Sequence, residues 1–475
     1  MVIGLIFFHE SHFFIIHFTR KIMGYGGKRM ERTLLIKPHL HRKYPLVQYG
    51  KGVYLYDKDG KKYLDGCAGA VTANIGHGNL EIVKAMKEQA EKVAFVYRSQ
   101  FTSGPAEELA AKLAMISKEA RYWSFLVNSG SEATETAMKI AIQYWQEKGV
   151  KGKNKILARK MSYHGITLGA LSMSGHPLRR KRFVPLLEDF PTVPPPYCYR
   201  CPFQLSYPHC QLRCATELES EIKRIGADHI AAFIAEPIVG AAGAALTPPE
   251  GYYEKIREIC DKYEILFIAD EVMTGLGRTG KMLAIEHWNI HPDIIALGKG
   301  LGAGYTPIAA ALVSEKVMEP IMNGSGVVMS GHTLSANPLS AAVALAVINY
   351  VEAHQLHVKA IHSGQYLMDK LLELKKQFPW IGDVRGRGLL IGIEFVQPHS
   401  KEAYPAPILF TETVVLEAQK HGLLVYPSAA ADGIEGAAII IAPPLTISSN
   451  EMDELVVMLR KTFEELEKRI QTYMG

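Results

Sequence analysis

Apolar positions along this chain follow two patterns. In the segments 80–94, 106–116 and 132–146 they recur every three or four residues, which predicts helices with one buried face. Between these lie short runs without alternation, at 122–127, 155–158, 230–235, 265–269, 294–297 and 308–313. Runs of that kind suit strands buried on both faces. Strand and helix in alternation predict an α/β fold with a mostly parallel central sheet and helices on either side. After about residue 345 the pattern changes. Helices are predicted over 335–353, 358–378, 412–421 and 450–469, with strands at 389–396, 423–426 and 438–442. The resulting division is a large domain over 79–345 and a smaller α+β domain over 346–475. The segment 30–78, with a strand-like stretch at 52–64, joins the smaller one. Residues 191–214, rich in Pro, Tyr and Cys, read as a surface excursion.

Residues 1–29 stand apart. They are apolar and aromatic, but His9, Glu10, Ser11, His12 and His17 interrupt them. No run approaches the roughly 18 apolar residues of a membrane span. Arg20 and Lys21 follow the apolar part, the reverse of a secretion signal. The segment reads as a non-native upstream extension with Met30 as the working start, ahead of a disordered tail or an interfacial anchor. Its removal is expected to leave a soluble, active protein.

Composition narrows the classes. Against 53 Lys+Arg stand 48 Asp+Glu, a net charge of +5 over 475 residues. That excess is too small for a dedicated nucleic-acid binder. Six cysteines in so long a chain do not make a disulfide scaffold, and a cytoplasmic enzyme is the default expectation.

Three predicted strand ends carry candidate chemistry. Asn128-Ser129-Gly130-Ser131 lies where a strand gives way to a helix. The exposed N–H groups of that turn suit a phosphate, and Ser129 with Glu132 equally suits a helix cap. Asp270 and Glu271 close the run 265–269, at the sheet edge where open α/β folds bind ligands. Lys299 follows the run 294–297 between Gly298 and Gly300. A lysine there can form a Schiff base with an aldehyde cofactor. It is not a P-loop lysine, because Gly300 and Asp293 stand where Ser/Thr and Gly are required. Gly275, Gly277 and Gly280 spell a dinucleotide fingerprint, yet Asp270 to Thr274 separate them from the strand. His287 and His291 lack the order of a zinc helix. Cys198, Cys201, Cys210 and Cys214 have the spacing of either a structural zinc knuckle or four reduced thiols. No metal is assigned to the reaction.

Taken in order, the stretches 128–135, 162–165 (Ser-Tyr-His-Gly), 235–237 (Ala-Glu-Pro), 269–280, 297–300 and 331–333 (Gly-His-Thr) resemble the class III pyridoxal-phosphate aminotransferases. That family includes 4-aminobutyrate, ornithine and ω-amino acid transaminases. The resemblance runs from about Pro45 to the C-terminus. It implies the type I pyridoxal-phosphate fold and a homodimer with sites at the interface. By the same resemblance, Lys299 holds pyridoxal 5'-phosphate as an aldimine and shuttles the substrate proton. Asp270 faces the pyridine nitrogen. Ser129, Gly130 and Ser131 form the phosphate cup, and Thr333 reaches the neighbouring subunit's phosphate. Tyr163 and Val272 cover the two ring faces, with His164 beside Tyr163. Glu236 lies near the aldimine.

Two positions depart from the family pattern. Met273 replaces a glutamine that contacts the phenolic oxygen, and Ile440 replaces an arginine that clamps the substrate carboxylate. The implied activity is ping-pong transfer of an amino group from an amino acid or ω-amine to a 2-oxo acid. Racemisation or epimerisation of amino acids, known in the same family, is the alternative. The expected partners are these small molecules and a second copy of the chain, with no nucleic acid and no membrane.

Overall fold

Strand pairing begins at residue 47. The computed structural model describes residues 34–117, 120–404, 410–431 and 436–474, so the expectations for residues 1–29 lie outside the described part. Met1–Leu46 and Val47–Gly475 form two separate units, and the second holds every strand described below. It opens with three antiparallel strands, β1 (Val47–Lys51), β2 (Tyr54–Asp57) and β3 (Lys62–Asp65).

The short apolar runs become one seven-stranded sheet: β4 (Tyr122–Val127), β5 (Lys155–Arg159), β6 (Thr192–Val193), β7 (Ile230–Ala235), β8 (Leu266–Asp270), β9 (Ile294–Leu297) and β10 (Ala309–Ser314). Their order is β4-β10-β9-β8-β7-β5-β6. β10 runs against both its neighbours, and the other pairs are parallel. Every residue of β7, β8 and β9 is buried, as their lack of alternation requires. Alternate side chains serve opposite faces. Phe233 and Phe267 pack towards the helices Arg213–Ile225 and Tyr252–Lys262. Ile234 and Ile268 pack towards the helix Gly130–Glu147. That helix is pinned to the sheet by Trp145, whose indole N–H donates to the Ala231 carbonyl at 2.9 Å.

The remaining strands form the smaller sheet: β11 (Ile381–Arg387), β12 (Leu390–Phe395), β13 (Leu423–Leu424), β14 (Tyr426–Ala430) and β15 (Gly436–Ile441). β11-β12-β15-β14 is antiparallel throughout. β13 instead pairs in parallel with β3, which ties the N-terminal strands to the C-terminal part. Ile391, Ile439 and Ile441 pack with Leu367, Leu371, Leu459 and Phe463 in a second core.

Three expectations from the sequence are corrected. β1 and β11 were not among the expected strands, and the run 423–426 divides between β13 and β14. The segment 191–214 is not wholly a surface excursion. Thr192 and Val193 pair with β5, and Tyr197 is buried with its hydroxyl on Glu394. Arg385 and Arg200 reach the same carboxylate at 2.7 and 2.6 Å. The four cysteines of that segment are free and line one small cavity beside Phe203 and Tyr207. Among the described residues, no group of three or more His, Cys, Asp or Glu side chains is arranged to hold a metal ion. Among them also, no single helix is long and apolar enough to cross a membrane.

Candidate active site

Three strand ends and one helix start converge on a cavity of about 170 Å³. β9 delivers Lys299 directly after Gly298, and the lysine takes a left-handed φ of 41° at the start of a single 3₁₀ turn. β8 delivers Asp270, and the turn after it delivers Val272 and Met273. β7 ends one residue before Glu236. The helix Gly130–Glu147 starts at the cavity with Gly130 and Ser131.

Close packing explains the small residues here. A Cβ on Gly130 would meet Val272 Cγ1 at 2.7 Å, and one on Gly165 would meet Ser131 Oγ at 2.5 Å. Ser131 Oγ accepts from the Ile166 N–H at 3.0 Å, which fastens the helix start to the loop bearing Tyr163 and His164. Ser129 caps the same helix: its Oγ accepts from the Glu132 N–H at 3.3 Å, and it does not line the cavity. Glu132 turns back to the N–H of Asn128 at 2.7 Å, so the capping box is only half formed.

Asp270 is fixed on both oxygens. Oδ1 accepts from the Val272 N–H at 3.1 Å, and Oδ2 meets His164 Nδ1 at 2.8 Å. The other ring nitrogen of His164 is buried without a partner among the described residues. Glu236 Oε1 accepts from the Tyr163 N–H at 3.4 Å, and Oε2, 3.8 Å from Arg159, is buried without a hydrogen bond among the described residues. Burial pushes the Glu236 carboxyl up to about 7; His164 and Arg159 oppose this, and Asp270 adds to it. Burial brings the Lys299 ammonium down to about 8, with Arg179 acting in the same sense and Asp270 and Glu236 against it. Both groups line the one cavity, and burial weakens the charged form of each.

Of the residues expected from the sequence, Gly130, Ser131, Tyr163, His164, Glu236, Asp270, Val272 and Lys299 line this one cavity. Thr333 does not. It is exposed, between the helices Glu315–Asn323 and Pro338–Ala353. Glu271, adjacent to Asp270, points elsewhere and binds Thr274 and the Ile285 N–H. Met273 lines the wall against Gly240. Ile440 is fully buried in β15, opposite Tyr426 of β14.

Three arginines escaped the sequence reading. Arg159 ends β5 and donates to the Glu236 carbonyl at 2.5 Å; its only signal was a charge closing an apolar run. Arg278, within the false dinucleotide fingerprint, is fully buried and donates to the Leu389 and Pro443 carbonyls and to Asn74. Arg179 stands 4.4 Å over the Tyr163 ring.

A buried lysine and an anchored aspartate at adjacent strand ends, with a helix start alongside, define an aldehyde-cofactor enzyme of the α/β type. The family model for class III aminotransferases matches residues 37–463. The chain belongs to this pyridoxal-phosphate-dependent family. It is 56% identical to the uncharacterized aminotransferase YodT of Bacillus subtilis (strain 168), over 92% of this chain and 99% of that one. It is 36% identical to a leucine/methionine racemase of Thermococcus litoralis, over 88% and 90%. An amine transaminase from an uncultivated Pseudomonas species, solved in its PLP-bound internal aldimine form, superposes with a TM-score of 0.85 at 33% identity, covering 92% and 99%.

Proposed function

We propose that this aminotransferase moves an amino group from an amino acid or ω-amine to a 2-oxo acid in two alternating half-reactions at the cavity around Lys299. The observation that carries the reading is one cavity lined by a buried lysine, an aspartate fixed by His164, and two glycines with no room for side chains. Pyridoxal phosphate suits this space. Gly130 and Ser131 offer N–H groups at the positive end of an 18-residue helix to its phosphate. Tyr163 and Val272 supply the two walls for a flat ring. When bound, the cofactor supplies an aldehyde carbon for the substrate nitrogen and a ring that takes up the electron pair of the broken C–H bond.

The protein's own contributions follow from the geometry. Lys299 Nζ, with its basicity lowered to about 8, takes a proton from the substrate carbon and returns it. Asp270, held by two donors, keeps a negative charge where the ring nitrogen must stay protonated. Glu236 lines the same cavity as Lys299 and is a carboxyl that changes charge near neutrality.

We read the enzyme as a cytoplasmic homodimer in which Thr333 serves the neighbouring site. Exposed Phe95, Tyr97, Phe101, Met329 and Leu334 offer apolar surface for a second copy. Six unpaired thiols suit a reducing compartment.

The purified protein is expected to show the visible absorbance of a lysine-bound pyridoxal, lost in K299A together with turnover. Absence of that band in cofactor-saturated wild type, or unchanged turnover in K299A, overturns the reading. A screen of amines against pyruvate and 2-oxoglutarate separately assigns the acceptor. The racemase relative favours a second reading, which inversion of an amino acid without any 2-oxo acid would select.

A further inference from the structure

Four of the six cysteines fall within residues 198–214, as the pairs Cys198-x-x-Cys201 and Cys210-x-x-x-Cys214. The fold brings all four to the wall of one cavity of about 10 Å³, the room of a single water-sized sphere. Much of the remaining wall is Pro196, Pro202, Phe203 and Leu205, which offer no competing ligand. Among the described residues, none lines both this cavity and the one around Lys299.

The backbone bends twice to gather these thiols. Cys198 opens the 3₁₀ turn Cys198–Arg200. Cys201 follows it and starts a second turn, closed by the Gln204 N–H on the Cys201 carbonyl at 2.9 Å, with Pro202 at the position that prolines favour. Within the other pair, Gln211 and Leu212 stand in succession at left-handed φ of 48° and 54°. That conformation is uncommon outside glycine and carries a cost. It returns the chain, so that Cys210 before the bend and Cys214 after it meet the same cavity. Cys214 lies in the first turn of the 13-residue helix Arg213–Ile225. The positive end of that helix favours negative charge, such as that of a thiolate. Cys198 is exposed, which leaves an entry path for an ion.

We propose that Cys198, Cys201, Cys210 and Cys214 bind one zinc ion as thiolates, in a structural site that fastens this segment to the start of the helix Arg213–Ile225. Zinc takes four sulfur ligands in a tetrahedron, and close cysteine pairs of this spacing supply them. In a chain of this size such pairs point to a metal rather than to a disulfide framework. Binding replaces four S–H bonds by four S–Zn bonds and releases four protons to solvent, with no change of oxidation state. Among the described residues, no three such side chains already surround one point. Neutral thiols gain little by converging, and each sulfur lies one rotatable bond from its backbone. The ion therefore draws them together by changes of rotamer, while the turns that set their positions stay in place. The site serves no step at Lys299 and stands independently of the aminotransferase reading.

The test uses the full-length protein, purified without chelators from cells grown with added zinc. Elemental analysis is expected to give one zinc per chain in wild type and to lose it in C198S/C201S and in C210S/C214S. C67S, whose sulfur bonds to the Gly69 carbonyl instead, is expected to keep it. A mercurial that blocks thiols should release the zinc of wild type, read with a chromogenic chelator. Cobalt put in place of zinc should give the visible bands of a tetrahedral sulfur site, a readout that neither folding nor activity alone supplies. If the double variants do not fold, the metal content and the cobalt spectrum of wild type still decide. Wild type that carries no zinc and gives no such cobalt spectrum overturns the inference. So does iron with sulfide in place of zinc, a thiol count below six in protein prepared without reductant, or zinc retained in both double variants.

Discussion

Gly130 marks how little space the site leaves. Its absent Cβ would stand 2.7 Å from Val272 Cγ1, so G130A must displace Val272 or the helix start. G130A is expected to weaken cofactor binding and to cost about 1–3 kcal/mol of folding stability. V272A should restore most of the stability, because the two changes share one contact. Urea unfolding of the four proteins in the cycle measures this, and strictly additive effects would refute the contact. Glu236 makes a prediction about pH. Its carboxyl stands at about 7 when folded and 4.5 when exposed, so its contribution is present at low pH and lost as pH rises through 7. Relative to E236Q, the cofactor-free wild type should lose up to about 3 kcal/mol between pH 4.5 and 8. Identical slopes for the two proteins would show that the carboxyl is not perturbed. At this scale, the residues legible in the sequence were those at the ends of apolar runs, Asp270 and Lys299. Arg179 was not, because it lies in a basic stretch without periodicity and meets Tyr163 only through folding.

Among the elements, the turn between β8 and β9 does more than close a loop. Arg278 sends its guanidinium to two carbonyls, at Leu389 and Pro443, and to Asn74, each in a different segment. Gly277 and Gly280, at φ of 89° and 103°, give the backbone the turn this requires. R278M is expected to cost at least about 3 kcal/mol, since three buried acceptors lose their donor. R278K should not rescue it, because an ammonium lacks the planar fork. Urea midpoints decide, and a wild-type midpoint for R278K would sink this account. The central strands were legible because burial on both faces leaves uninterrupted apolar runs. β11 was not, because Ile-Gly-Asp-Val-Arg-Gly-Arg buries only Ile381 and Val384. β14 begins Tyr-Pro-Ser, and a proline is tolerated there because the strand lies at a sheet edge.

For the whole molecule, the proposed homodimer makes a sharp prediction. If Thr333 serves the neighbouring site, a mixed dimer of one K299A chain and one T333A chain has one doubly altered site and one intact site. Such dimers, purified with two tags, should show about half the activity of wild type, above either parent variant. No recovery would place Thr333 outside the partner's site. The backbone at Lys299 carries a further consequence. A buried amine with lowered basicity, at a left-handed φ of 41°, burdens the folded state. Moving the group from 10.5 to about 8 corresponds to about 3 kcal/mol, and glycine would relieve the backbone as well. Cofactor-free K299G should therefore unfold at higher urea than cofactor-free wild type, and a lower midpoint would refute this. In a duplicated copy released from selection for turnover, loss of this lysine would cost the fold nothing and leave the sheet unchanged. A descendant with glycine at position 299 would then be a folded fossil of the enzyme, its lost activity recorded at one residue.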